Sequence, residues 1–289
     1  MKSGFIDSNS IPIYYETEGV GNPLIILHGG PGVPHDYLQD MRALSPYARL
    51  VFFDQRGTGK SGKSNKLDYT LEANVEDTEN VREGLGLGGC AIFGHSWGGM
   101  LAQAYALKYP RNVRKLILAN TFSTVDHLNA ALAKMRASMP RKNQEIVEKY
   151  EREGLYNGRE SYPDEYQVTV DAAYDPISIS VPKPSYLQDA FRRMSYEVYR
   201  TMWGDETEFK VTGTMSTFNF LPRLSEIKVP TLVIVGAADM TTIGMAEETV
   251  RRIPSARLVV FEHSRHYPFI EEKEKFVTVM RDFLEDKSD

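Results

Sequence analysis

Gly94-His95-Ser96-Trp97-Gly98 is a G-x-S-x-G string set between an apolar run, Ala91–Phe93, and a helical pattern, MLAQAYALKYP. A serine so placed can act as a nucleophile. The sharp turn from strand to helix exposes its hydroxyl and strains its backbone, and it leaves no room for side chains two positions either side. The helix N-terminus beneath Ser96 favours the negative charge that grows during attack. A serine hydroxyl also needs a base to take its proton. Asp239 closes the run Leu232–Val235 and Gly236–Ala238, and His266 follows Leu258–Phe261 by a few residues. Asp239 would hold the imidazole in one tautomer, with His266 as general base and then general acid. His263 competes for the role, but it sits so near the strand end that it could simply cover the sheet. His266 is favoured because the loop must travel a few residues further to reach Ser96.

His28-Gly29-Gly30-Pro31-Gly32 follows a second apolar run, Leu24–Leu27. An oxyanion hole needs two backbone N–H groups aimed at one point, which here are assigned to Trp97 and Gly30. Glycine lets the backbone approach a carbonyl closely. His28 is read as a hydrogen-bonding staple of this turn rather than as a base. Gly57–Gly62 matches G-x-G-x-x-G, yet it leads into the polar KSNKLDY, so no helix N-terminus awaits a pyrophosphate. The six histidines include no H-E-x-x-H, and the chemistry calls for no metal and no cofactor. Cys90 reads as core, and Glu271–Lys275 as a solvated helix start.

These residues need strands that end together. Ile11–Tyr15, Leu24–Leu27, Leu50–Phe53, Ala91–Phe93, Leu116–Leu118, Leu232–Val235 and Leu258–Phe261 are short apolar runs separated by helical patterns. Continuous apolarity marks strands buried on both faces, and the alternation implies an α/β fold with a mostly parallel central sheet and helices on both faces. The first run is expected to form a hairpin with a Gly-flanked turn, and Glu274–Leu284 to close the chain as an amphipathic helix. The rhythm breaks over about 122–224, where helical stretches (Gln144–Arg152, Gln188–Met202) alternate with Pro-bearing loops at Pro163, Pro176 and Val181–Pro184. That region is rich in Tyr and Met, which suit an adaptable apolar pocket wall. The expected division is a core of 1–121 and 225–289 with a helical cap inserted at 122–224. Charge is mildly acidic, 34 Lys and Arg against 39 Asp and Glu, which argues against a nucleic-acid surface. MKSGFIDSNS has no apolar h-region and no run approaches a membrane span, so the chain reads as soluble and cytoplasmic.

Together HGGPG, DQRGTGKS, GHSWGG and the late Asp and His resemble the α/β-hydrolase fold. More narrowly they resemble the prolyl aminopeptidases (proline iminopeptidases), including the tricorn-associated archaeal type. The likeness spans the core on both sides of the cap and reaches Met202–Gly204 and Glu208–Thr214. It implies a serine exopeptidase that releases an N-terminal proline or small apolar residue from short peptides, using Ser96, Asp239 and His266. Glu208 would then anchor the substrate's α-amine, since a desolvated carboxylate binds a cation by a charge-assisted hydrogen bond. Many relatives carry a second acid directly after the catalytic aspartate, where this chain has Met240. That departure keeps a serine esterase, lactonase or amidase open as the alternative.

Overall fold

The structure is a computed structural model that describes residues 1–286 of the 289. The chain opens with a hairpin of β1 (Lys2–Ser8) and β2 (Ile11–Glu18). Its turn is Asn9–Ser10, both residues at positive φ, a geometry that suits the twist of a two-residue hairpin loop. The expected turn near Gly19–Gly21 instead leads from β2 to β3 (Pro23–Leu27). β4 (Arg49–Phe53), α1 (Leu71–Gly84), β5 (Cys90–His95), α2 (Trp97–Lys108) and β6 (Val113–Ala119) follow.

Helices then run without an intervening named strand: α3 (Val125–Ser138), α4 (Arg141–Glu153), α5 (Asp164–Ser178), α6 (Ser185–Arg192) and α7 (Tyr196–Met202). The single helix expected over Gln188–Met202 is two helices, broken where Ser195 N–H reaches out to Gly32 C=O at 2.9 Å. Pro176, expected in a loop, lies in the last turn of α5, where it forgoes the bond one turn back and the helix ends two residues later. The α/β pattern resumes with β7 (Thr231–Gly236), α8 (Ile243–Arg252), β8 (Ala256–Phe261), α9 (Pro268–Glu271) and α10 (Lys273–Leu284).

Among the described residues the strands form one sheet of eight in the order β1-β2-β4-β3-β5-β6-β7-β8. β2 pairs antiparallel with both neighbours, and every other pairing is parallel. Alternate side chains of each central strand feed two cores. Ile25 and Leu27 pack with α1 and α2 on one face; Leu24 and Ile26 pack with α10 and the 35–44 stretch on the other. Parallel strands deliver their C-terminal ends to one side of the sheet, where ligand sites of such folds form. Register makes this sharper: Leu27 pairs with Gly94, and His95 with Ala119. The loops bearing His28, Ser96 and Asn120 therefore leave the sheet side by side.

Candidate active site

Ser96 stands between β5 and α2 at φ 56°, ψ -124°, left-handed backbone that a non-glycine residue enters only under constraint. The constraint is visible in its neighbours. A Cβ on Gly94 would lie 2.2 Å from Gly98 O, and one on Gly98 would lie 2.1 Å from Leu27 O. Ser96 N–H donates to Ala119 O at 3.0 Å, and Thr121 Oγ1 donates to Ser96 O at 2.6 Å. Trp97 is the first residue of α2, so its N–H has no acceptor within the helix.

Asp239 lies beyond β7 with its side chain fully buried, 3.0 Å from His266 Nδ1 through Oδ1. The same oxygen accepts Met240 N–H at 2.7 Å, and Oδ2 accepts Asn120 Nδ2 at 2.8 Å. Asn120 follows β6 at φ 50°; sequence reasoning missed it, and an Asn directly after an apolar strand was the available signal. Burial works against the imidazolium of His266, but the charge and hydrogen bond of Asp239, with the charge of Glu271, raise its pKa above the usual value. His263 is exposed and lies outside the cavity that Ser96, Asp239 and His266 share.

The Gly29–Gly30 loop faces Ser96 from β3. Gly30 has φ 118°, and a Cβ there would meet Gly32 N at 2.8 Å. His28 staples this turn: its Nε2 accepts Gln55 N–H at 3.0 Å, and burial pushes its pKa down to about 4, so the ring stays neutral. Gln55 completes the tie, donating to His28 O at 2.8 Å and accepting the Trp97 indole N–H at 2.7 Å. Both loops assigned to the oxyanion hole are thus cross-linked through a residue of the DQRG segment.

A second chain of hydrogen bonds runs through His95, neutral because burial holds its pKa well below the usual value. Its Nε2 faces His266 O at 2.8 Å, which can only accept, so Nε2 carries the proton. Nδ1 then accepts Tyr37 O–H at 2.8 Å, and Tyr37 accepts Gly29 N–H at 2.6 Å.

Glu208 lines the same cavity and is 4% exposed. Its carboxylate accepts Tyr162 O–H at 2.7 Å, Tyr174 O–H at 2.7 Å, and Tyr199 O–H at 2.7 and 2.9 Å. The Trp203 indole donates to Glu208 O at 3.0 Å, and Glu208 N–H donates to Tyr166 at 3.0 Å. Burial raises the Glu208 pKa, and the three hydroxyls pull it only partly back. The tyrosines stay protonated, each held well above its usual pKa by burial and by the Glu208 charge. The cavity, about 580 Å³, is lined by Gly30, Ser96, Trp97, Glu208, Asp239 and His266 and largely by apolar surface. Met240 lies in its wall, and Asp171 supplies a second carboxylate there. Among the described residues no group of three or more His, Cys, Asp or Glu is arranged to hold a metal ion.

Sheet topology and the serine turn define an α/β hydrolase, and residues 22–273 match the family model described as alpha/beta hydrolase fold. A proline iminopeptidase of Saccharolobus solfataricus is 32% identical over 296 residues, covering 99% of this chain and 93% of the relative. One from Clostridium botulinum is 30% identical, covering 98% of each. Among solved structures, VinJ superposes with a TM-score of 0.90 at 31% identity, covering 99% of both chains. A Mycobacterium smegmatis proline iminopeptidase gives 0.85 at 27%, covering 99% of this chain and 98% of that one. The chain belongs to the α/β-hydrolase fold family and, within it, to the proline iminopeptidases.

Proposed function

We propose that the chain is a serine exopeptidase that releases an N-terminal proline or small apolar residue from short peptides through an acyl-enzyme. One observation carries the reading: a buried carboxylate, Glu208, ringed by neutral hydroxyls and facing the cavity that holds Ser96. An isolated buried charge is costly, and a substrate's α-ammonium supplies the missing cation. The amine lies at Glu208, the scissile carbonyl at Ser96, and the rest of the peptide leads out of the cavity. A polypeptide's internal bonds lack the ammonium, which restricts cleavage to the first residue.

In this reading Ser96 Oγ attacks the carbonyl carbon while His266 Nε2 takes the hydroxyl proton, held in tautomer by Asp239. The oxyanion receives N–H groups from Gly30 and Trp97. Collapse breaks the C–N bond, and His266 returns the proton to the departing amine. Water then repeats the sequence on the aminoacyl ester and frees Ser96.

Residues 122–224 act as a cap over the core formed by 1–121 and 225–289, supported by strandless helices between β6 and β7. HGGPG, DQRGTGKS and the Glu208–Thr214 segment support the narrower tricorn-associated type. The site of action we assign is the cytoplasm, where intracellular proteolysis generates short peptides. Met240, set in the cavity wall beside Asp239, favours the second reading of an esterase, lactonase or amidase.

One substrate panel tests the proposal: H-Pro-arylamide, its N-acetylated form and a short acyl ester, compared by kcat/KM. The free-amine arylamide is expected to lead clearly. Equal rates for the free and acetylated arylamides, or an ester far ahead of both, would hand the lead to the second reading.

A further inference from the structure

Glu271, expected from sequence to be a solvated helix start, is turned inward instead. It closes α9, the short turn that begins just after His266. Its carboxylate spans the backbone N–H groups of the two residues that flank the base: Arg265 N–H lies 3.0 Å from both oxygens, and Tyr267 N–H lies 2.9 Å from Oε2. Oε1 also accepts the N–H and the hydroxyl of Ser180, each at 2.7 Å. Ser180 belongs to the stretch that leaves α5, and that stretch grips the same loop twice more. Ser178 O accepts His266 N–H at 3.0 Å, and Ile179 O accepts Arg265 Nη1 at 2.7 Å.

We propose that Glu271 is a positioning residue for His266, locking the main chain on both sides of the base and binding it to the Ser178–Ser180 stretch of the cap. The inference rests on the serine-hydrolase reading of the site. An imidazole is aimed by the backbone dihedrals of its own residue and its neighbours. Here His266 N–H is held by Ser178, its C=O by His95, and the adjoining N–H groups by one carboxylate. Charge-assisted hydrogen bonds to a carboxylate are about twice as strong as neutral ones, so this is the firmest of those ties.

The joint also reaches the amine anchor. α5 holds Glu208 through Tyr174 and, less than two turns later, holds His266 through Ser178. Amine recognition and the base are thereby mounted on one helix, with Glu271 clamping its end to the core. Five groups face or adjoin the imidazole. Asp239 and Glu271 are acidic, Tyr267 and His95 are neutral, and the Arg265 guanidinium is turned away to Asp175 O and Ile179 O. Both carboxylates favour the imidazolium, so loss of the Glu271 charge lowers the pKa of the base.

Glu271→Gln tests this, with three readouts: the rate of Ser96 labelling by a fluorophosphonate, the pH profile of that rate, and kcat and KM on H-Pro-arylamide. A displaced base loses roughly 10- to 100-fold in labelling rate and in kcat, the range expected for misplacement within 1 Å. KM holds within about twofold because the Glu208 ring is untouched, and the acid limb of the profile moves down. Glu271→Asp keeps the charge but not the reach, so it loses rate while its acid limb stays nearer to wild type. Wild-type labelling rate and acid limb in Glu271→Gln, with only a lower Tm, would make the residue merely structural and overturn the inference. If that variant does not fold, Ser180→Ala decides in its place: a slower labelling rate at unchanged KM supports the clamp, and a wild-type rate overturns it. A wild type that takes no label overturns the serine-hydrolase reading itself, and this inference with it.

Discussion

Replacing Glu208 by Gln separates the peptidase reading from its alternative, because the structure sets both the size of the effect and its control. The carboxylate is 4% exposed, and its hydrogen-bond donors are the hydroxyls of Tyr162, Tyr174 and Tyr199. No Lys, Arg or His side chain among the described residues forms an ion pair with it. On the proposed reading, a bound ammonium is the cation this carboxylate meets. A hydrogen bond to a charged group contributes about 1.5–3 kcal/mol net, so kcat/KM for H-Pro-arylamide should fall roughly 10- to 150-fold. Stability should hold. The raised pKa says that the folded protein disfavours the ionised side chain, so a neutral amide relieves that cost, and the tyrosine hydroxyls can rotate to accept from it. A neutral short-chain ester has no ammonium to lose and uses the same Ser96 and His266. The assay is the ratio of the two losses in kcat/KM, with Tm recorded alongside. Equal losses on both substrates at unchanged Tm would refute the ammonium site.

Five further outcomes are expected. Ser96→Ala and His266→Ala should each remove nearly all turnover, and the double variant should lose little more because the pair acts as a unit; His263→Ala, exposed outside the cavity, should stay within roughly tenfold. On a neutral ester the acid limb of kcat/KM should lie above the ordinary His value of about 6.5, since the base works unprotonated and its folded pKa is raised. Asp239→Asn should move that limb down and lower kcat by about 10⁴-fold, the loss that the same exchange causes in the triad of a serine protease. On H-Pro-arylamide the rate should fall off further as pH drops, because Glu208 loses its charge at higher pH than an ordinary carboxylate. Gly98→Ala should abolish fluorophosphonate labelling, because its Cβ would sit 2.1 Å from Leu27 O, a backbone atom of a central strand that cannot step aside.

What sequence conveyed well is local. The serine turn is legible because its signature falls within five residues: Gly94 is required by Gly98 O inside the turn, while the atom that requires Gly98 is Leu27 O on β3. The central strands are legible because burial on both faces leaves a continuous apolar run, and those runs match β3 to β8 closely. β1 escaped because KSGFIDS is an edge strand with a largely exposed, polar side, so neither apolarity nor a glycine turn marks it. The break between α6 and α7 is set by Gly32 on a distant loop, which no helical periodicity records. Glu271 escaped because two of its partners, Arg265 and Tyr267, offer only main-chain N–H groups that no residue type marks, and the third, Ser180, meets it only after α5 packs against the loop after β8. The tyrosines of 122–224 read as pliable wall in sequence, but three of them aim hydroxyls at one carboxylate, a convergence visible only in three dimensions.

The helical segment leaves and rejoins the core at a single point. Phe220 N–H donates to Ser123 O at 2.8 Å, Val125 N–H donates to Phe218 O at 3.0 Å, and Thr124 and Asn219 form an isolated antiparallel bridge between them. Lengthening a loop whose ends are already pinned costs little, about 0.6 kcal/mol for each doubling of its length. Most of what lies between these ends, the Ser178–Ser180 stretch that holds the His266 loop excepted, can therefore be shortened, enlarged or exchanged while the sheet and the serine turn keep their geometry. A lineage can thus change the molecule it acts on by rewriting one continuous stretch of gene, and the chemistry beneath is inherited intact.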